Sequence, residues 1–340
     1  MDSLYPLRFE PIYKQYLWGG CRFQDLFHRD LPAEEIFSES WEVSDHGDDQ
    51  SLVANGPLMG GSLGSLVARF GKELFGPGWE PEGEPSQFPL LVKFIDAAQN
   101  LSLQVHPDDA MGATLDPPDS GKTEAWIVLD AEPNSQIYAG LKSGVTRDDF
   151  LHALDAGTVA DLLNTFHARP GDCILIPAGT VHAIGQGLLV AEVQQSSDTT
   201  FRLFDWNRLG TDGQPRLLHI EQGLQATKFG LQPPRAMRQR SIISEEPVES
   251  FDYYDVLPGR PVRLVECGKF VIDKLYVDDP AYLKSDGFRI VIVLEGEIRV
   301  EGDPSGEPLT KGQTILLPRG EHHIVPIKPS LLIDARLSNR

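Results

Sequence analysis

The chain has 340 residues, 41% of them hydrophobic, and 50 acidic against 30 basic side chains give a formal charge of −20. Such a length supports a sizeable core and allows two domains. The charge argues against nucleic acid and anionic membrane as partners, because both are held by surplus lysine and arginine, and it means that a phosphate-bearing ligand needs cations placed locally against the general field.

The 32 glycines and 26 prolines are scattered between short apolar runs, the pattern of a strand-rich fold with many turns. The N-terminal stretch has no apolar signal-peptide core, and no run approaches the ~20 apolar residues of a membrane span. Cys21, Cys173 and Cys267 are odd in number, widely spaced and without a CxxC pair, which reads as reduced thiols. A cytoplasmic location is expected.

In chain order, the first informative segment is LSLQVHPDD, residues 101–109. Strand alternation predicts Leu101, Leu103 and Val105 on one face and Ser102, Gln104 and His106 on the other. Lys122 and Glu124 then share a face at the start of the apolar run Ala125–Asp130. Thr146 is a candidate N-cap for a helix beginning Arg147-Asp148-Asp149, with Phe150, Leu151 and Leu154 at helical spacing. A second short helix is expected over Val159–Asn164, so residues 146–165 read as a helical insertion in a β-domain. Residues 171–184, GDCILIPAGTVHAI, read as a glycine turn, a buried strand Ile174–Ile176, a proline that ends the pairing, a glycine turn and a return strand carrying His182. Glu192, Gln194, Asp198, Arg202 and Asp205 follow closely, and a linker is expected within 230–250.

Residues 312–325, GQTILLPRGEHHIV, repeat the pattern G-x5-P-x-G-x2-H of 171–184. Two similar β-domains, each with a β-hairpin corner, are expected. Aligning the Ile-Val-Leu triplets at 127–129 and 292–294 sets Glu124 opposite Arg289. The second copy keeps His323 but lacks a Q-x-H segment, and an arginine in place of a carboxylate repels a cation. It is expected to be metal-free.

Two imidazoles, a carboxylate and an amide oxygen suit a borderline divalent metal, zinc first, with iron or manganese also compatible, and leave a position open for a substrate oxygen. Each residue alone also has a structural reading: His182 as a core histidine, Pro-Asp-Asp as a turn, Glu124 as a solvent-facing strand residue. The conjunction of three segments favours the metal. An arginine in 192–208 can clamp an anion or belong to a salt-bridged edge strand.

The ordered set Q-x-H-P-D, G-K-T-E, P-A-G-T-x-H-A and S-D-T-T-x-R resembles the type I mannose-6-phosphate isomerases of the short bacterial form, in the cupin superfamily. Trp18-Gly19-Gly20, Glu39-Ser40-Trp41-Glu42 and FPLLVKFIDA (residues 88–97) agree, and the resemblance runs from about residue 5 to the C-terminus. It implies a mainly β chain of two tandem jelly-roll barrels, with residues 1–235 catalytic and metal-binding and residues 236–340 a degenerate barrel without metal. It implies one zinc ion per chain on Gln104, His106, Glu124 and His182. It also carries the family's active-site arginine to Arg202, its lysine to Lys122, and two acidic residues to Asp198 and Glu192. The implied reaction interconverts mannose 6-phosphate and fructose 6-phosphate through a cis-enediol. Arg202 is then expected to stabilise charge and Asp198 to assist ring opening or orientation. The base is open between Lys122, Glu192 and a metal-bound water, Lys122 qualifying only with a depressed pKa. Larger family members carry a separate helical domain, of which only 146–165 remains here. The partner expected is a small sugar phosphate, with the protein a monomer or weak homodimer. The alternatives are a non-catalytic double cupin that binds a sugar or sugar phosphate, and a cupin oxygenase, which usually presents His-x-His where Gln104 stands.

Overall fold

A computed structural model describes residues 4–77, 79, 87–210, 213–237 and 260–338. Three antiparallel sheets and a two-stranded ribbon organise them. The first sheet has seven strands, in spatial order Ile12–Lys14, Glu39–Val43, Leu90–Ala97, Leu188–Gln195, Glu124–Ala131, Cys173–Ile176 and Ala236–Met237. The second has five: Phe201–Phe204, Leu103–Val105, His182–Ile184, Gln136–Leu141 and Leu163–His167. The third is drawn entirely from residues 262–337.

Packing of the layers follows from which faces are apolar. Between the first two sheets lies a core of Ile95, Trp126, Val128, Val190, Ile137 and Ile184. The far face of the second sheet, with Leu103, Val105 and Leu203, is covered by helices Arg147–Asp155 and Ile220–Ala226. The far face of the first sheet packs against the third, joining Val92, Phe94, Ile127 and Ala191 to Ile272, Ile290, Ile292 and Ile333. Leu90–Ala97 and Leu188–Gln195 are therefore buried along their whole length, on both faces. Leu101 departs from the expected alternation. The strand starts only at Leu103, and Leu101 turns into the core between the sheets, its N–H donating to the Ile184 carbonyl at 2.9 Å.

The repeated motif forms a corner rather than a hairpin. Cys173–Ile176 pairs with Glu124–Ala131 in the first sheet, whereas His182–Ile184 pairs in the second. Pro177 offers no N–H to prolong the first strand. Gly179, at φ 88°, turns the chain where a Cβ would lie 2.7 Å from the Lys228 side chain. In the second copy Thr314–Leu317 leads to one long strand, Gly320–Leu337. Backbone register reproduces the sequence alignment: Glu124 faces Ile176 and Arg289 faces Leu317, the same position of the two motifs.

The helical insertion begins as expected. Thr146 and Asp149 exchange side-chain bonds to each other's N–H groups, a capping box that fixes the helix start. It ends earlier, after the 3-10 turn Val159–Leu162, because Leu163–His167 pairs with Gln136–Leu141 as a strand. Of the expected linker, Ala236–Met237 still adds an edge strand to the first sheet, and residues 238–250 lie outside the described residues.

The N-terminal segment is bound to the third sheet. Leu7 and Leu316 exchange backbone bonds of 2.8 and 2.9 Å. Arg29 is largely covered nearby, donating to Glu42 at 2.9 Å, the Gly312 carbonyl at 2.7 Å and Ser40 at 2.6 Å among the rings of Phe23, Phe27 and Phe94. Replacing Arg29 by Leu strands the buried Glu42 carboxylate, and urea denaturation should show a loss of about 3–5 kcal/mol. A loss below about 1 kcal/mol would show that this contact is not a buried ion pair of consequence.

Candidate metal centre and its cavity

His106 follows the end of strand Leu103–Val105, His182 opens His182–Ile184, and Glu124 opens Glu124–Ala131, so the second sheet supplies two imidazoles and the first a carboxylate. All three are buried, and their candidate ligand atoms lie within 4.8 Å of one another. His106 Nε2 is 3.4 Å and His182 Nε2 is 3.3 Å from the Glu124 carboxylate.

Hydrogen bonds behind the rings decide their tautomers. His106 Nδ1 lies 2.9 Å from the Thr199 carbonyl, and His182 Nδ1 lies 2.8 Å from that of Thr180. A carbonyl only accepts, so Nδ1 carries the proton and each Nε2 presents a lone pair. Burial, followed by the Lys122 charge, pushes His106 down to about 3, and burial lowers His182 as well. Both rings are therefore neutral. Neither Glu124 oxygen nor His106 Nε2 has a hydrogen-bond partner. Buried acceptors facing one another without a proton between them are costly unless a cation joins them. The donor set of two nitrogens and a carboxylate, with carbonyls orienting the rings from behind, fits a divalent metal and suits zinc.

Gln104 stands at the edge of this set. It faces His182 on one side and Arg202 on the other, in a single cross-strand row. Its Nε2 is 3.3 Å from His182 Nε2, and a rotation of the amide exchanges that nitrogen for the oxygen a metal requires.

A cavity of 290 Å³ adjoins the set, and Lys122, Glu192, Asp198 and Arg202 all line it. Lys122 Nζ is 3.6 Å from Glu124. Glu192 accepts from Trp126 Nε1 at 2.7 Å, and burial, then the nearby Glu124 charge, raises its pKa. Arg202 donates to the Leu217 carbonyl at 2.9 Å while its buried Nε has no acceptor. Asp198 is exposed.

The chain is similar to several known proteins. The family model described as phosphomannose isomerase type I, catalytic domain, matches residues 7–138. The mannose-6-phosphate isomerase ManA of Bacillus subtilis is 34% identical over 316 residues, which cover 93% of each chain. The chain belongs to the type I mannose-6-phosphate isomerases. The probable mannose-6-phosphate isomerase GmuF of the same organism is 40% identical over 221 residues, 65% of this chain and 68% of that one. Among solved structures, the Bacillus subtilis mannose 6-phosphate isomerase aligns with a TM-score of 0.79 at 28% identity, covering 98% of this chain and all of that one. A mannose 6-phosphate isomerase solved with zinc and yttrium shares the fold, with a TM-score of 0.69 at 15% identity.

The cavity also holds groups to which sequence reasoning assigned no role. Lys93 is buried, with Nζ 3.2 Å from Glu39 and 3.3 Å from Glu192. Burial works to lower its pKa, but Glu192 and Glu39 outweigh it and hold the ammonium above its ordinary value. A lone lysine inside FPLLVKFIDA was the available signal. Tyr16 stacks on Trp18 at 5.5 Å, and Arg216 completes the wall. Behind the Thr199 carbonyl lies Asp119, accepting from Ser197 at 2.7 Å and Thr199 at 2.6 Å, with His46 Nε2 at 3.3 Å.

That last contact titrates. Its hydrogen bond to Asp119 raises the His46 pKa, partly opposed by burial. A histidine with a higher pKa folded than unfolded adds stability below its unfolded value, near 6.5, and loses it as the pH rises through the folded value. His46→Gln should therefore cost more stability at about pH 5.5 than at about pH 8.5. Denaturation midpoints at both pH values check this, and equal losses would remove the charged pair from the account.

Proposed function

We propose that this chain interconverts mannose 6-phosphate and fructose 6-phosphate with one zinc ion per chain, held by His106, Glu124 and His182 and more weakly by Gln104. The observation that carries this reading is the ring of two imidazole lone pairs and a carboxylate, with no proton donor between them, beside a polar cavity. Zinc bound there supplies Lewis acidity, polarising the sugar carbonyl and offsetting charge on an enediolate.

The remaining chemistry falls to side chains. Moving a proton between C1 and C2 through a cis-enediol needs a base. Lys122 and Glu192, both lining the cavity, are the two groups assigned to that transfer. Lys93 holds Glu192 from one side and Trp126 from the other, fixing the carboxyl in place. Arg202 stabilises negative charge through its unpartnered Nε, and Asp198 assists ring opening or orientation.

Residues 1–235 carry this activity in our reading, and residues 236–340 form a companion barrel without metal. In support, Arg289 stands at the position of Glu124 and is ion-paired to Asp334. His323, the counterpart of His182, pairs with Glu301 at 2.8 Å and stacks on Tyr282.

A coupled assay should show mannose 6-phosphate turnover that a chelator abolishes and added zinc restores. His182→Ala should lose bound metal, measured by emission spectroscopy, and about a thousandfold or more in kcat/KM. His323→Ala should keep both. Absence of turnover in metal-replete protein would leave sugar-phosphate binding without catalysis as the function. A reversed pattern between the two histidines would move the site to the other barrel.

A further inference from the structure

Lys122 lines the cavity and Glu124 belongs to the ligand set, yet residues 118–123 lie in no helix or strand. Something other than a sheet ladder must hold the segment that delivers them. Three successive backbone N–H groups show what does. Gly121 N donates to Asp109 Oδ1 at 3.1 Å, Lys122 N to the Pro107 carbonyl at 3.0 Å, and Thr123 N to Gln195 Oε1 at 3.1 Å. Gln195 is in turn fixed by Asp109, its Nε2 donating to the same Oδ1 at 2.9 Å. Two of the three N–H groups thus depend on one carboxylate oxygen, directly at Gly121 and through the Gln195 amide at Thr123.

The fit is close. Gly121 and Gln195 are buried. A Cβ at Gly121 would lie 2.4 Å from Asp109 N and 2.7 Å from Asp109 Oδ1, so glycine lets the two segments touch. Reading Pro-Asp-Asp as a turn accounts for Asp108, which caps the short helix Asp109–Gly112 by accepting from Met111 N at 3.1 Å. It does not account for Asp109. While Oδ1 accepts from residues near the cavity, Oδ2 is ion-paired with Lys269, in the turn between Val262–Glu266 and Phe270–Val277 of the third sheet. Burial works to raise the Asp109 pKa, but hydrogen bonds from Lys269 and Gln195 outweigh it and hold the carboxyl below its ordinary value. The side chain is 53% exposed, so the ion pair itself contributes little stability. What Asp109 supplies is a fixed acceptor.

We propose that Asp109 is a positioning residue for the isomerisation, holding residues 121–123 so that Lys122 and Glu124 are presented in the directions their roles require. The proposal rests on the reading of the cavity as a zinc-dependent isomerase site. Asp109 is not among the residues lining that cavity and acts through its neighbours. It follows His106 by three residues, so one short stretch carries both a ligand and the acceptor that orients the carboxylate opposite it. A loosened 121–123 segment lets Glu124 turn away from the imidazoles and Lys122 away from the sugar. Turnover and metal retention then suffer together, while the groups that bind the substrate stay in place.

The test compares Asp109→Ala with Asp109→Asn, which keeps an acceptor oxygen. In the alanine variant, kcat for mannose 6-phosphate should fall about 10- to 100-fold, and zinc release to a chelator should speed up by a similar factor. Its KM should change by less than about threefold. The asparagine variant should return to within about fivefold of wild type in kcat and zinc release, because the acceptor rather than the charge does the positioning. Asp109→Glu keeps the charge but displaces the oxygen by a methylene. It should fall between alanine and wild type, and it carries the test if the alanine variant does not fold. Amide hydrogen exchange over 121–124 should quicken in the alanine and glutamate variants. Faster exchange with kcat and zinc release both unchanged would make the contact structural only and overturn the proposal, as would an asparagine variant as impaired as the alanine one. Wild-type protein without turnover would remove the isomerase reading alone. Zinc release would then still decide the role of Asp109: faster release from the alanine variant supports it, and equal rates refute it.

Discussion

Two backbone carbonyls govern the site. By accepting from the Nδ1 atoms of His182 and His106, Thr180 and Thr199 turn both Nε2 lone pairs toward one carboxylate. Neither carbonyl is there by accident of a single residue. Thr180 belongs to the corner that carries the chain from the first sheet to the second, and the Gly179 N–H within that corner donates to the His106 carbonyl at 2.9 Å. Thr199 belongs to a loop that Asp119 holds by two hydroxyl bonds. Corner and loop thus tie each histidine to a separate part of the fold, and the lone pairs converge before a ligand is present.

The same strand positions are used differently in the first and third sheets. In the first, Lys93 faces Glu192 across adjacent strands, beside the cavity. In the third sheet the corresponding pair is Asp273 facing Asp334. Two like charges cannot share that position unaided. Arg336 bridges them, at 2.6 Å to Asp273 and 2.8 Å to Asp334, while Arg263 and Arg289 close the two ends. A row of alternating charge results, in which both carboxylates are ion-paired while Arg289 Nε and Asp334 Oδ1 lack a hydrogen-bond partner. In the first sheet both oxygens of the buried Glu124 carboxylate lack a hydrogen-bond partner, and two imidazole nitrogens face them. Unfilled polar capacity is destabilising in a folded chain, and a buried carboxylate with neither oxygen hydrogen-bonded carries the larger cost.

Sequence made part of this legible for physical reasons. The repeated glycine-proline-glycine-histidine spacing pointed to His182, and strand parity placed Gln104 toward the same side. The capping residue Thr146 was readable because the box it forms with Asp149 is local. Elsewhere the deciding contact was distant in sequence. The corner looked like a hairpin because nothing local shows that Cys173–Ile176 and His182–Ile184 take partners in different sheets. Residues 163–165 looked helical because their partner strand, Gln136–Leu141, lies before the insertion. Lys93 was visible as an oddity in an apolar run, but its role depends on Glu39 and Glu192, 54 and 99 positions away. Arg216 gave no periodic signal at all, since it sits in a loop without regular structure.

Packing explains how a cavity lined by so many charges stays ordered. The central strands of the first sheet, Leu90–Ala97 and Leu188–Gln195, have no solvent face: their outer side meets the third sheet across a continuous apolar layer. The strands bearing Lys93, Glu192 and Glu124 are therefore held from behind by Val92, Ala191 and Ala125, their immediate neighbours of opposite parity. A close-packed backing of this kind leaves little freedom for the charged side chains in front, and little water to screen them. The third sheet thus acts at a distance, by fixing the sheet from which the carboxylates project.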